Sequence, residues 1–347
     1  MKKIAIIFGG QSTERDVSKV SGQFVSKNVD REKYEVTNIF IDKAGKWYEY
    51  LGEKFDVAFD EELSDLKPIE NVIEYLKQFD CAFPVLHGLY GEDGTIQGLF
   101  ELLELPYVGC KVLGSAVAMD KVYTKIVFER AGINQVNYEY IRKYKDKYIY
   151  VAKDFTETEM TLEEVAKKVS ENLTFPVFVK PSNSGSSVGI TKSHDEQELL
   201  ASIEEAAKYD KKILIEEGLD IRELECAVLG NEEVIASCVG EVVSADEFYD
   251  YESKYKNADS KTILRADIPS ELEEKLRTLA VKAYKSIDGK GLSRVDFFLD
   301  KEGNIYLNEI NTLPGFTGSS MYPKLFEESG INPKELTSRL IELAFED

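Results

Sequence analysis

Asp296, Glu309 and Asn311 are the residues whose types and spacing first suggest chemistry. Asp296 stands in the apolar run Leu292-Ser-Arg-Val-Asp-Phe-Phe-Leu-Asp, and Glu309 and Asn311 end a second run, Asn304-Ile-Tyr-Leu-Asn-Glu-Ile-Asn. Lys301-Glu302-Gly303 between them reads as the turn of a β-hairpin. Side chains alternate along a strand, so Glu309 and Asn311 share a face, and Asp296 meets them where the register allows. Two carboxylates and a carboxamide offer oxygen without sulfur or imidazole, a donor set suited to Mg²⁺ beside phosphates. Arg294, two residues before Asp296, adds a fixed cation on the same face. A solvated acidic edge would account for Asp296 alone. The whole set, followed by Pro314-Gly315 and a hydroxyl-rich turn to Ser320, outweighs that reading.

Lys180 ends the apolar run Phe175-Pro-Val-Phe-Val-Lys and precedes Ser182-Asn-Ser-Gly-Ser-Ser-Val-Gly. No Gly-Lys-Ser/Thr pair is present, so this is not a P-loop. Its backbone N–H groups can still wrap phosphates, with Lys180 at the entrance. A third cluster, His87-Gly-Leu-Tyr-Gly-Glu-Asp-Gly, forms a tight loop after the predicted strand Cys81-Ala-Phe-Pro-Val-Leu. Open α/β sheets bind ligands at the carboxyl ends of strands. His87, one of two histidines, reads evenly as a hydrogen-bonding prop and as a site residue.

The elements that must hold these groups begin with residues 4–8, an apolar run closed by Gly9-Gly10. Val17, Val20, Phe24 and Val25 follow at helical spacing. Strand, glycine turn and helix open a doubly wound α/β unit, although the third glycine of a dinucleotide fingerprint is absent. Residues 36–41 read as a strand and 69–76 as a helix. Met119-Asp120-Lys121 opens a helix that Gly132 stops. Thr161 and Glu164 form a capping box before a helix over 161–169, and Ser270 with Glu273 does the same before 270–287. Residues 213–217 form a strand ending in Glu216-Glu217, and two more strands follow to residue 243. Residues 249–266 are polar and aromatic, unlike core, and a helix opened by Pro333 closes the chain.

The 347 residues suggest two or three domains. A formal net charge of -21 argues against duplex nucleic acid and anionic membranes as partners. No apolar run approaches the ~20 residues that span a bilayer. The first apolar run stops too early for a signal peptide and reads as a strand. The four cysteines lack Cys-x-x-Cys spacing, which argues against zinc and redox pairs and for free buried thiols in a reducing cytoplasm.

The chain resembles the D-alanine–D-alanine ligases of the ATP-grasp superfamily over nearly its whole length. The motifs that carry the likeness are Gly9-Gly10-x-Ser12-x-Glu14-x-x-Val17-Ser18, Leu86-His87-Gly88-x-x-Gly91-Glu92-Asp93-Gly94, Met119-Asp120-Lys121, Val179-Lys180-Pro181, Gly185-Ser186-Ser187-Val188-Gly189, Tyr249-Asp250-Tyr251-x-x-Lys254-Tyr255, Arg294-Val295-Asp296 and Asn308-Glu309-x-Asn311-Thr312-x-Pro314-Gly315. The resemblance implies a three-domain α/β ATP-grasp architecture. Residues 1–119 would be an N-terminal Rossmann-like substrate-binding domain and 120–218 a central subdomain with the phosphate loop. Residues 219–347 would carry the lid, within 249–266, and the Mg²⁺ site.

The resemblance assigns ATP to Lys121, Lys180, Ser187, Glu216, Glu217, Leu219, Glu223, Lys254 and Phe298. It gives two Mg²⁺ ions, replaceable by Mn²⁺, to Asp296, Glu309 and Asn311. Substrate falls to Glu14, His87, Lys254, Gly315, Ser320 and Met321. Arg294 and the Gly315 backbone would form an oxyanion site, and Tyr255, Ser186 and Glu14 a hydrogen-bonded set across the closed site. The implied reaction is ATP-dependent joining of two D-alanines through a D-alanyl phosphate, releasing ADP and phosphate, for peptidoglycan precursors. A cytoplasmic homodimer is also implied. D-serine and D-lactate are alternative acceptors; Tyr255 resembles the dipeptide-forming members. The loop Ser182-Asn-Ser lacks the arginine or acid of many relatives, and Ser319 stands where a histidine often does. A non-catalytic sensor on the same fold is opposed by the intact set of lysines, Arg294 and acids. A nicotinamide oxidoreductase is suggested only by the first strand and its glycines.

Overall fold

The computed structural model describes residues 1–52, 65–185, 188–243 and 261–346. Among these, the strands form three sheets. The first contains β1 (Lys2–Gly9), β2 (Tyr34–Ile41), β3 (Trp47–Tyr50), β4 (Leu66–Pro68) and β5 (Cys81–Pro84) in the order β4-β3-β2-β1-β5. β1 runs parallel to both β2 and β5, the doubly wound opening expected from the glycine turn. Ile4, Ile6 and Phe8 enter one core with Val25 of α1 (Arg15–Asn28). Ala5 and Ile7 enter another with Phe100 of α3 (Thr95–Leu102), which follows the short α2 (Val72–Leu76). Burial on both faces explains why β1 reads as a continuous apolar run. Gly9 has φ +94°, and a Cβ there would stand 2.3 Å from the Ile41 carbonyl oxygen, so the turn into α1 requires glycine.

α4 (Val112–Met119) and α5 (Lys121–Arg130) lead to the second sheet. It holds β6 (Tyr138–Tyr144), β7 (Lys147–Val151), β8 (Glu157–Met160), β9 (Val177–Pro181), β10 (Thr191–Ser193) and β11 (Lys212–Glu217) in the order β10-β9-β11-β6-β7-β8. Val177, Val179, Ile213 and Ile215 face the apolar sides of α6 (Leu162–Asn172) and α7 (Glu196–Ala206). α6 carries the Thr161–Glu164 capping box read from the sequence. α5 does not join this core; its Phe128 lies under the third sheet.

The third sheet holds β12 (Ile221–Leu229), β13 (Ile235–Val243), β14 (Lys261–Ile263), β15 (Leu292–Asp300) and β16 (Ile305–Asn311) in the order β14-β13-β12-β15-β16. Leu224, Cys226, Val295, Phe297 and Leu307 face α8 (Ser270–Ser286). The Ser270 cap is a correction: Pro269 occupies the cap position without a side-chain bond, and the Glu273 carboxylate instead accepts from the Val239 amide at 3.4 Å. α9 (Met321–Glu328) and α10 (Pro333–Leu343) share a core with α1 and the first sheet, which brings the two ends of the chain together. The four cysteines are free and buried, and no helix among the described residues is long and apolar enough to cross a membrane.

Candidate active site

The third sheet turns its second face toward a cleft. Glu225 pairs with Asp296, Glu223 with Phe298, Asp296 with Glu309, and Arg294 with Asn311. Directly paired residues share a face, so these seven side chains line one surface. A bulge makes this possible. Phe297 pairs with Leu307 and Asp296 with Glu309, leaving Asn308 as the extra residue. Strict alternation would send Leu307 and Glu309 to the same side; the bulge sends Leu307 to the core and Glu309 to the cleft.

Arg294 grips Asp296 with both arms of its guanidinium, Nε to Oδ1 at 2.7 Å and NH2 to Oδ2 at 2.6 Å. Its Nε also stands 3.2 Å from Glu225 Oε2. Asp296, then Glu225, hold this guanidinium charged against the cost of burial. Asn311 donates from Nδ2 to Asp296 Oδ2 at 3.0 Å. Among the described residues no group of three or more His, Cys, Asp or Glu is arranged to hold a metal. The third oxygen donor of an Mg²⁺ site here would be the Asn311 amide, and the donor chemistry fits that ion.

The second sheet supplies the lysines. On the face opposite its core, Lys180 and Glu216 are diagonal neighbours on β9 and β11, and Lys180 Nζ meets Glu216 Oε2 at 2.6 Å. Glu223 and Glu309 are near enough to favour the Lys180 charge further. Lys121, first residue of α5, donates to the Ser184 carbonyl at 2.7 Å and stands 3.8 Å from Glu309 Oε2. Asp120 caps α5, accepting from the Val122 and Tyr123 amides, from Ser182 Oγ at 2.6 Å and from Lys212 Nζ at 2.5 Å.

The first sheet contributes the His87 loop. His87 Nδ1 bonds the Leu313 carbonyl at 3.0 Å and Nε2 meets Ser21 Oγ at 2.8 Å. A carbonyl only accepts, so the proton sits on Nδ1 and Ser21 donates to Nε2. Ser21 Oγ in turn accepts from the Phe316 amide at 3.2 Å. Burial pushes the His87 pKa down, keeping the imidazole neutral. His87 is thus a stitch between the first sheet's loop and the turn after β16. Glu14 occupies the position before α1. A Cβ on Gly88 would stand 2.6 Å from Glu14 Oε2, and one on Gly185 3.1 Å from the same oxygen. The Glu14 carboxylate therefore lies against both the His87 loop and the Gly/Ser-rich loop.

Glu92, quoted in its motif but given no role there, accepts from the Gly88 amide at 2.8 Å. Burial, then the charge of Glu14, raises its pKa to about 8. A carboxyl raised from its ordinary 4.5 contributes stability that is full below 4.5 and lost as pH rises through about 8. His87 runs the other way: its lowered pKa contributes stability that is full above 6.5 and lost as pH falls below it. Melting temperatures of Glu92→Gln are expected to decline less than wild type between pH 5 and 8; parallel curves would show that Glu92 is already ionised at neutral pH.

One assigned side chain points elsewhere. Glu217 lies on the opposite face from Glu216, where its carboxylate takes the Thr174 amide at 2.8 Å and Asn137 Nδ2 at 2.9 Å. Met321 is buried against Gly240, where an added Cβ would meet its Cε at 2.4 Å. Ser320 Oγ accepts from the Thr317 amide at 3.0 Å and stands 3.0 Å from where a Gly315 Cβ would lie. Leu219 is exposed between β11 and β12. Ser186, Ser187, Lys254 and Tyr255, with residues 249–260 of the expected lid, lie outside the described residues.

Two family models match the chain, the D-ala D-ala ligase N-terminus over residues 3–110 and the D-ala D-ala ligase C-terminus over residues 126–342. The D-alanine–D-alanine ligase of Clostridium acetobutylicum is 50% identical, across 99% of this chain and 98% of that protein. That of Acetivibrio thermocellus is 48% identical, across 99% and 96%. Among solved structures, the VanG D-Ala:D-Ser ligase from Enterococcus faecalis aligns with a TM-score of 0.86 at 37% identity, covering 99% of each chain. The D-alanine–D-alanine ligase from Coxiella burnetii aligns with a TM-score of 0.84 at 32% identity, covering 99% of this chain and 93% of that one.

Proposed function

The chain belongs to the D-alanine–D-alanine ligase family and is an ATP-dependent, ADP-forming ligase that joins two D-alanines for peptidoglycan synthesis, and we propose that its residues divide that reaction as follows. The observation that carries the reading is convergence. Lysines of the second sheet's side, the Arg294–Asp296–Glu309–Asn311 surface of the third and Glu14 of the first meet around one cleft. They fall in three sequence-ordered units, for which 1–119, 120–218 and 219–347 remain our proposed boundaries.

Lys121 and Lys180 take the ATP phosphates beneath the Gly/Ser-rich loop, with Ser187 and Lys254 joining them. The adenine lies along residues 216–219 against Phe298, and the ribose hydroxyls reach Glu223. Asp296, Glu309 and Asn311 would hold two Mg²⁺ ions, with Mn²⁺ able to replace them. Bound there, the ions would neutralise phosphate charge and align the transfer.

Glu14 takes the ammonium of the first D-alanine, whose carboxylate attacks the γ-phosphorus and releases ADP. The acylphosphate that results is attacked by the amine of the second D-alanine, whose carboxylate rests on Ser320 and Lys254. Arg294 and the Gly315 amide meet the oxyanion, phosphate leaves carrying the proton that the amine sheds, and the peptide bond forms. His87 holds the loops in place. The Tyr255–Ser186–Glu14 set would close the site against water, which would otherwise hydrolyse the acylphosphate. The neighbouring Gly185, beside Glu14, supports that arrangement.

A cytoplasmic homodimer is the proposed assembly. Free buried cysteines suit a reducing compartment, and exposed Leu102 and Leu113 on the α3–α4 side offer apolar surface to a second copy. Phosphate release measured with ATP, Mg²⁺ and a panel of D- and L-amino acids tests the function. Release with D-alanine alone, yielding the dipeptide, is expected; release only when D-serine or D-lactate is added would change the acceptor.

A further inference from the structure

One buried cation has no part in the scheme above. Lys125 follows Lys121 by four residues, so both project from one side of α5. Its side chain is 3% exposed, and Nζ stands 2.5 Å from Glu216 Oε1. The contact lies off hydrogen-bond geometry, and neither atom has another hydrogen-bond partner among the described residues. The ammonium also faces the ring of Tyr138, with Nζ 5.2 Å from the ring centroid. Glu216 gives its other oxygen, Oε2, to Lys180 at 2.6 Å. One carboxylate, also 3% exposed, is thus clamped between two ammoniums, and the two lysines hold it ionised with a pKa of about 2.

The charges decide what the arrangement does. Glu216 paired with Lys180 alone would neutralise it, leaving no net attraction for a phosphate and drawing the ammonium onto the carboxylate. Lys125 takes one oxygen and half of that demand, so the trio carries a net positive charge in a site of low dielectric. We propose that Lys125 is a positioning residue for the nucleotide: acting through Glu216, it leaves the Lys180 ammonium free to take a phosphate oxygen. The inference rests on the reading that Lys180 meets the ATP phosphates.

The test compares full-length wild type, Lys125→Met, Glu216→Gln and the double variant, with phosphate release measured against ATP at saturating D-alanine and against D-alanine at saturating ATP. Lys125→Met is expected to raise the KM for ATP about tenfold and to leave the KM for D-alanine within twofold. In the Glu216→Gln background the same substitution is expected to add less than twofold, since the group it acts through is gone. An unchanged KM for ATP, an equal rise for both substrates, or the same factor in both backgrounds would each overturn the proposal. If Lys125→Met does not fold, the double variant, which buries no unpaired carboxylate, is compared with Glu216→Gln: agreement within twofold upholds action through Glu216, and a larger gap refutes it. Wild type that releases no phosphate with ATP and D-alanine would instead refute the proposed function.

Discussion

Glu309→Gln is expected to keep the fold and to cut phosphate release by about 10²–10³-fold, the range seen when one preorganised electrostatic group is lost from a site. Glu309 faces Asp296 across β15 and β16, and its side chain is 28% exposed. The amide is isosteric, so neither the bulge at Asn308 nor the core contact of Leu307 is disturbed. What disappears is the anion that would hold Mg²⁺ and that stands 3.8 Å from Lys121. The amide leaves the core packing as it is and removes one of several carboxylates that share the Arg294 and lysine charges, so the melting temperature is expected to stay close to wild type. The measurement is an Mg²⁺ titration of phosphate release. Turnover equal to wild type at saturating Mg²⁺ would remove Glu309 from the metal site.

Much of this site could be read from the sequence because its residues sit in short, strongly patterned segments. The hairpin of Asp296 and Glu309 followed from two apolar runs and a glycine turn, and Asp120 as a helix start from its type and place. The bulge was not legible. Ile305, Leu307 and Glu309 alternate as though all shared a face, and only the pairing with β15 shows that Asn308 breaks the period. Glu216 and Glu217 look equivalent in sequence, yet adjacent strand positions face opposite ways, and which one faces the cleft depends on the sheet's orientation. Lys125 was hidden because its partner lies 91 residues away, on another element, and a helical lysine ordinarily reads as solvated. The spacing Lys121-x-x-x-Lys125 was the available signal. His87 reads evenly in the sequence as prop and as site residue; its bond to Leu313, across 226 residues, comes only with the fold. Met321 was assigned by family resemblance, and its burial depends on the packing of the helix it opens. The raised Glu92 pKa comes from burial, then from Glu14, and only the fold supplies either.

Arg294 carries the second large effect, and two substitutions separate its two jobs. Its guanidinium holds Asp296 through two bonds and stands beside Glu225, on a surface that also carries Glu309 and Glu223. Arg294→Met removes the cation and leaves these carboxylates facing one another. Breaking a buried ion pair from one side costs about 3–5 kcal/mol, and loss of an oxyanion donor costs about 10²–10³ in turnover. Both a lowered melting temperature and a large fall in phosphate release are therefore expected. Arg294→Lys keeps the charge but replaces a planar fork with a single ammonium on a flexible stem. It is expected to recover most of the stability, because the field of the carboxylates is again offset. Turnover is expected to remain at least tenfold low, because one point charge cannot hold Asp296 at both oxygens and still present a fixed N–H to a developing oxyanion. Denaturation curves and single-turnover rates on the same preparations would separate the effects. A lysine variant that restored both would reduce Arg294 to a counterion, whereas stability regained without turnover would mean that the geometry of the fork, and not its charge, serves the reaction.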